Sequence, residues 1–170
     1  MSFLDLAKKR YSCRKLSAQP VEEEKLQKIL EAGNLASTAH NNQPLHIWLL
    51  ESAEAMEKVS QTTSFIFGAP VAFVVGSKAD DAWVRPFDKK NFADVDASIA
   101  ATHMMLAIED LGLGTTWVAH FDAPKLKELF PEMADYELVA IFPVGYPAED
   151  AKPSARHAER VGIEMIADWL

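Results

Sequence analysis

Apolar residues recur along the chain with two different periods, and the switch from one to the other marks the elements. In Ser2–Arg10, the residues Phe3, Leu6 and Ala7 share one helical face behind Ser2, a good N-cap, so the spacing predicts a helix that ends at Arg10-Tyr11-Ser12-Cys13-Arg14. A second helix follows Pro20: Glu22, Glu23 and Glu24 suit its first turn, Leu26, Ile29 and Leu30 form its buried stripe, and Gly33 fits its end. Ser37 to Pro44 is too small and polar for core and reads as a loop before a strand at Leu45–Leu50. Ser52 then caps a short helix carrying Met56 and Val59. Pro70 opens a strand at Val71–Val75 that is apolar on both faces and therefore central.

Lys78 to Asn91 has no period, with Trp83, Pro86 and Phe87 among charges, the profile of a long loop or lid. Beyond it Ile99, Ala100, His103, Met104, Ala107, Ile108 and Leu111 repeat at three- and four-residue steps until Gly112 and Gly114, which predicts a core helix with His103 and the methionines as packing groups. Thr115–Val118 reads as a strand, Asp122 with Pro124 as the start of a helix bearing Leu126, Leu129 and Phe130, and Leu138–Val144 as a further strand. The tail is polar through Arg160 and then carries Ile163, Met165, Ile166, Trp169 and Leu170, apolar residues that call for cover by a partner subunit.

At 170 residues the chain has the size of one domain, 1–170, and 49% hydrophobic with 25% charged residues is the balance of a soluble folded protein. No apolar run approaches the roughly 20 residues that span a bilayer. The first residues lack the basic-then-apolar order of a secretory signal, so a cytoplasmic protein is expected. With 17 Lys+Arg against 25 Asp+Glu the net charge is −8, which repels nucleic acid and anionic membranes at long range. The lone Cys13 and five histidines without ligand spacing exclude an internal disulfide and argue against a metal site; Cys13 reads as a small packing residue.

Three segments could carry chemistry. In an extended Arg10–Arg14 segment, Arg10, Ser12 and Arg14 project to one side, a trio suited to phosphate and equally to a solvated turn; Arg156, in a basic stretch near the other end, could join it. In Ser37–Pro44, Thr38, Asn41 and Gln43 offer donors and acceptors able to read the edge of a planar heterocycle, although turn chemistry also accounts for them. In Gly112–Asp122, small residues around Trp117 would let the backbone at Ala119 and His120 approach a ligand, or simply make a tight helix-to-strand turn.

Together these segments change the picture. R-Y-S-C-R after an N-terminal helix, P-V-E-E-E-K-L-Q-K-I-L-E-A-G, S-T-A-H-N-N-Q-P, D-A-S-I-A-A-T-H-M-M-L-A-I-E-D-L-G-L-G-T-T-W and P-V-G-Y-P stand in an order that resembles the FMN-dependent nitroreductase family over nearly the whole chain. The resemblance implies an α+β fold, three-layer α/β/α with a central mixed, largely antiparallel sheet, in an intertwined homodimer with FMN at the interface. It implies that Arg10, Ser12, Arg14 and Arg156 hold the FMN phosphate and ribityl chain. It places Thr38, Asn41 and Gln43 of the other subunit at the isoalloxazine ring, the backbone of Ala119 and His120 at flavin N5, and Trp117 nearby.

The chemistry so implied belongs to the flavin: NADH or NADPH gives hydride to N5 and a nitroaromatic, quinone or similar flat acceptor then takes it in a ping-pong cycle, with no catalytic side chain. This agrees with the lack of a nucleophile–base or paired-carboxylate signature. Two other readings stay open: a flavin-binding sensor or carrier without turnover, and an enzyme of the same fold that consumes its flavin. The acceptor-selecting rim is expected in Lys78–Asn91, and nothing in the sequence chooses between NADH and NADPH.

Overall fold

The computed structural model describes residues 2–170. Strands β1 (Leu45–Leu50), β2 (Val71–Ser77), β3 (Gly114–Thr115) and β4 (Glu137–Gly145) form one sheet in the order β1-β2-β4-β3. Strand β2 is buried along its full length, as its unbroken apolar run requires. Val71, Phe73 and Val75, with Ala140, Phe142 and Val144 of β4, pack beneath helices α2 (Glu23–Asn34) and α4 (Ala93–Asp110). Ala72, Val74 and Ile141 face the other way, against α3 (Ala53–Ser60) and α5 (Ala123–Leu129), which gives three layers. A register shift at Val75/Gly76 sets Gly76 opposite Leu138 and turns Leu138 to the α3/α5 side, away from Ala140.

Local chemistry explains the helix starts. The Ser2 hydroxyl accepts from the Asp5 amide at the head of α1 (Phe3–Lys9), Ser52 from Ala55 at 3.1 Å, and Asp122 from Lys125 at 3.0 Å, with Pro124 in the first turn of α5.

Several expectations are corrected. All strand pairs are antiparallel rather than mixed; among the described residues the single parallel contact is the bridge between Ser12 and Thr115. Gly33 lies inside α2, because a Cβ there would sit 2.8 Å from Ile47 Cδ1 and 3.0 Å from Met104 Cγ; it is small so that α2 can approach β1 and α4. The strand expected over 115–118 shortens to Gly114–Thr115, with Val118 joined to Ile141 by a lone bridge. On α4, Met104 is buried, but His103 is exposed on the outer flank and packs into no core. The Lys78–Asn91 segment has order of its own: a 3-10 turn at Ala79–Asp81, then a hairpin closed between Val84 and Asn91 with Phe87 94% exposed near its tip.

Candidate functional site

The first cleft begins where α1 ends. Lys9 pairs with the buried Glu109 of α4 at 3.1 Å, fixing the end of α1, and the chain then runs extended beside β3, where the Cys13 amide donates to the Thr115 carbonyl at 2.8 Å. Alternation turns Cys13 into the core and Arg10, Ser12 and Arg14 into a cleft of about 250 Å³. Gly114 makes this possible, since a Cβ there would lie 3.0 Å from both Cβ and Sγ of Cys13. Burial and the neighbouring Cys13 thiol push the Tyr11 phenol up to about 12, so it stays neutral.

The opposite wall comes from the far end of the chain, where a 3-10 turn at Ala155–Ala158 brings Ser154, Arg156, His157 and Arg160 to the same cleft. A ring nitrogen of His157 lies 3.1 Å from the Lys8 carbonyl, and Arg160 donates to the carbonyls of His157 and Glu159 at 2.7 and 2.6 Å. Among the described residues none of these four arginines is ion-paired to a carboxylate. Four guanidiniums without counter-charge, in a chain of net charge −8, make a built anion site.

A second cleft of about 200 Å³ adjoins the first, and Arg14 lines both. Its walls are apolar and aromatic: Phe65, Phe67, Trp117 and Val118, with Ala119 and His120 at the rim. Trp117 stands edge-on to Phe142 at 5.2 Å, and the His120 ring stands edge-on to Phe65 at 5.5 Å. The Thr63 hydroxyl holds the His120 carbonyl at 2.8 Å, while the amides of Ala119 and His120 have no acceptor among the described residues. Two free N–H groups beside aromatic walls suit an electron-rich planar ring.

Thr38 and Gln43 line a separate cavity of about 120 Å³, with Gly33, Asn34, Ala36 and Leu45. Their loop is strained: His40, Asn41 and Gln43 have φ of 54°, 56° and 51°. It is held by Gln43 N–H to Thr38 Oγ1 at 3.1 Å and Gln43 Nε2 to Asn41 Oδ1 at 3.0 Å, while His40 stacks on Trp83 at 5.2 Å and Asn42 Nδ2 donates to the Asp81 carbonyl at 3.1 Å. One chain thus brings Arg10, Ser12, Arg14 and Arg156 together and sets Trp117, Ala119 and His120 beside them. Thr38, Asn41 and Gln43 line neither of those two clefts. Ser154, His157 and Arg160 were not expected from sequence, although His157 and Arg160 continue the basic stretch from Lys152; Phe65 and Phe67 carried no polar mark.

The family model described as Nitroreductase family matches residues 7–64 and 61–146. Among solved structures, a nitroreductase family protein from Clostridium difficile 630 is 37% identical with a TM-score of 0.91, over 99% of this chain and 98% of that one. An FMN-dependent nitroreductase from Clostridium difficile R20291 is 26% identical with a TM-score of 0.75, over 94% and 98% of the two chains. An NADH dehydrogenase from Thermus thermophilus is 25% identical over 96% of this chain and 93% of its own. Among the described residues no helix is long and apolar enough to cross a membrane.

Proposed function

The chain belongs to the nitroreductase family, and from that premise we propose that it is an FMN-dependent NAD(P)H oxidoreductase acting on nitroaromatics, quinones or similar flat acceptors, with residues 1–170 as one FMN-binding domain that works as a homodimer. The observation that carries this reading is the meeting of an arginine cleft and an aromatic cleft at Arg14. A phosphate monoester joined to a planar ring has that same division of charge, so the residues present fit FMN. The name of the Clostridium difficile R20291 relative, FMN-dependent nitroreductase, supports the same cofactor.

Arg10, Ser12, Arg14 and Arg156 would hold the phosphate, with His157 and Arg160 closing the cleft from the C-terminal side. Trp117 would bound the ring pocket, and the amides of Ala119 and His120 would donate toward the ring edge, where added negative charge is stabilised by fixed N–H dipoles. When bound, FMN supplies the two-electron chemistry between NADH or NADPH and the acceptor. The chain's own part is to grip, orient and screen the ring from water. Thr38, Asn41 and Gln43 would serve the site of a second subunit, whose docking would also cover the apolar tail and the open cleft along α4 at Val95, Ile99 and His103.

The test is spectroscopic. The purified protein should carry or take up FMN, bleach on anaerobic addition of NADH or NADPH, and regain colour when a nitroaromatic or quinone is added. Protein that takes up no flavin, or that binds it and never bleaches, overturns the reading; the second result identifies a binding module.

A further inference from the structure

We infer that Asp96 is a positioning residue for the ring side of the site, anchoring the near end of the Thr38–Gln43 loop to α4 through the Ala39 amide. This rests on the reading above, in which Asn41 and Gln43 face the ring.

Asp96 sits in the first turn of α4 and is 1% exposed. Its Oδ1 accepts from the Ala39 amide at 3.0 Å, and its Oδ2 has no partner among the described residues. A carboxylate is costly to bury, and here one hydrogen bond and the positive end of α4 are what offset that cost. A position this buried ordinarily holds an apolar residue, so a polar one with a single partner points to a task. The one partner it has identifies that task.

The loop above it places three non-glycine residues, His40, Asn41 and Gln43, at positive φ within four positions, each against steric preference. Most of its hydrogen bonds are internal: Asn41 N–H to the Thr38 carbonyl, Asn42 N–H to the Ala39 carbonyl, Gln43 N–H to Thr38 Oγ1. Such bonds fix a shape without fixing where the loop sits. Its far end is tied where the Pro44 carbonyl accepts from Lys78 N–H, and its exposed crest leans on Asp81 and Trp83. Its near end has Asp96 Oδ1, an acceptor buried out of water. Without that tie the near end of the turn is free to shift on α4, and Asn41 and Gln43 shift with it.

The experiment compares FMN-loaded wild type, Asp96→Leu, Asp96→Asn and Gln43→Ala. Asp96→Leu fills the space without an acceptor and should shift the visible flavin band toward that of free FMN, in the direction Gln43→Ala does, and raise KM for a quinone by up to about tenfold, the upper end for losing one hydrogen bond. Asp96→Asn keeps an acceptor oxygen and should restore both readouts to near wild type; because it also keeps the volume, Ala39→Pro, which removes the donor and leaves Asp96 in place, is the variant that separates the hydrogen bond from packing. Should Asp96→Leu fail to fold, Ala39→Pro removes the donor instead; Thr38 is already extended at φ −130°, ψ 156°, as a residue before proline must be, and the same two shifts are expected. Unchanged band and KM in Asp96→Leu or Ala39→Pro, with Gln43→Ala altered, overturn the inference alone. An unaltered Gln43→Ala, or a wild type that binds no FMN, overturns the reading on which it rests.

Discussion

Arg10 and Arg156 come from opposite ends of the chain and line one cleft, with Arg14 and Arg160 beside them. Like charges gathered without carboxylates repel one another, so the cleft is most stable when an anion occupies it. Arg156 and His157 of the C-terminal wall sit on one 3-10 turn, Ala155–Ala158, and Arg160 follows it.

Replacing Arg10 or Arg156 by alanine should therefore weaken FMN binding by about 1.5–3 kcal/mol, the range for hydrogen bonds to charged groups, with no change in far-UV dichroism. Riboflavin lacks the phosphate, and its affinity should be untouched by either substitution. Flavin fluorescence titrations of both ligands decide the point; equal losses for FMN and riboflavin would mean the arginines do not read the phosphate.

Much of this arrangement is local and hence visible to periodicity and capping: Ser2, Ser52 and Asp122 start the helices expected of them, and the apolar run Val71–Val75 is the buried centre of the sheet. What escaped is what depends on distant neighbours. Gly33 has the residue type of a helix terminator, yet Ile47 and Met104, far off in sequence, are what require it to be small. His103 fits the three- and four-residue apolar spacing of its helix, yet it lies beside Thr102 on the exposed flank, which that spacing alone did not tell. Arg160 and Asp96 draw their meaning from Arg10 and Ala39, which no spacing rule connects to them.

Gly114 has little room for a side chain. Gly114→Ala would press a Cβ onto Cys13 and Leu16 at 3.0 Å, and overpacking of this kind costs about 1–3 kcal/mol. Because Cys13 lies between Ser12 and Arg14, the displacement should also lower FMN affinity, a coupling that Gly112→Ala should lack: its Cβ would meet nothing within 4 Å, and its cost, set by φ of +75°, falls on stability alone. Denaturant midpoints and flavin titrations on the two variants separate the effects.

Trp83 ties the hairpin closed between Val84 and Asn91 to the loop at His40. Trp83→Ala removes that stack and leaves the arginine cleft intact. The expected outcome is unchanged FMN affinity with an altered ranking of acceptors by kcat/KM, read over a panel of nitroaromatics and quinones; an unaltered ranking would remove the hairpin from the acceptor rim.

The Tyr146 hydroxyl donates to Glu22 at 2.6 Å, and this hydrogen bond, ahead of Lys25, holds the Glu22 carboxyl below its ordinary value of 4.5. A carboxyl depressed in the folded state stabilises above the unfolded value and loses that contribution as pH falls through the folded one. The stability gap between wild type and Tyr146→Phe should hold at neutral pH and narrow below about pH 4.5, as urea unfolding at stepped pH would register. A gap that stays constant down to pH 3 would exclude Glu22 as its source.

The tail gives the sharpest test of assembly. Val161, Ile163, Met165, Ile166, Trp169 and Leu170 are all largely exposed on the isolated chain. Full burial of an aliphatic or aromatic side chain is worth about 1.5–3 kcal/mol, so a partner that covered several of them would be held firmly. Deleting residues 163–170 keeps Arg156, His157 and Arg160 and so spares the anion cleft. The truncated chain should sediment as monomer or aggregate, whereas the full chain should sediment as a dimer. If Thr38, Asn41 and Gln43 act on a second subunit's ring, truncation should also shift the flavin band while the phosphate grip remains. A truncated protein that stays a soluble dimer with an unaltered flavin spectrum would show that the tail covers nothing the site needs.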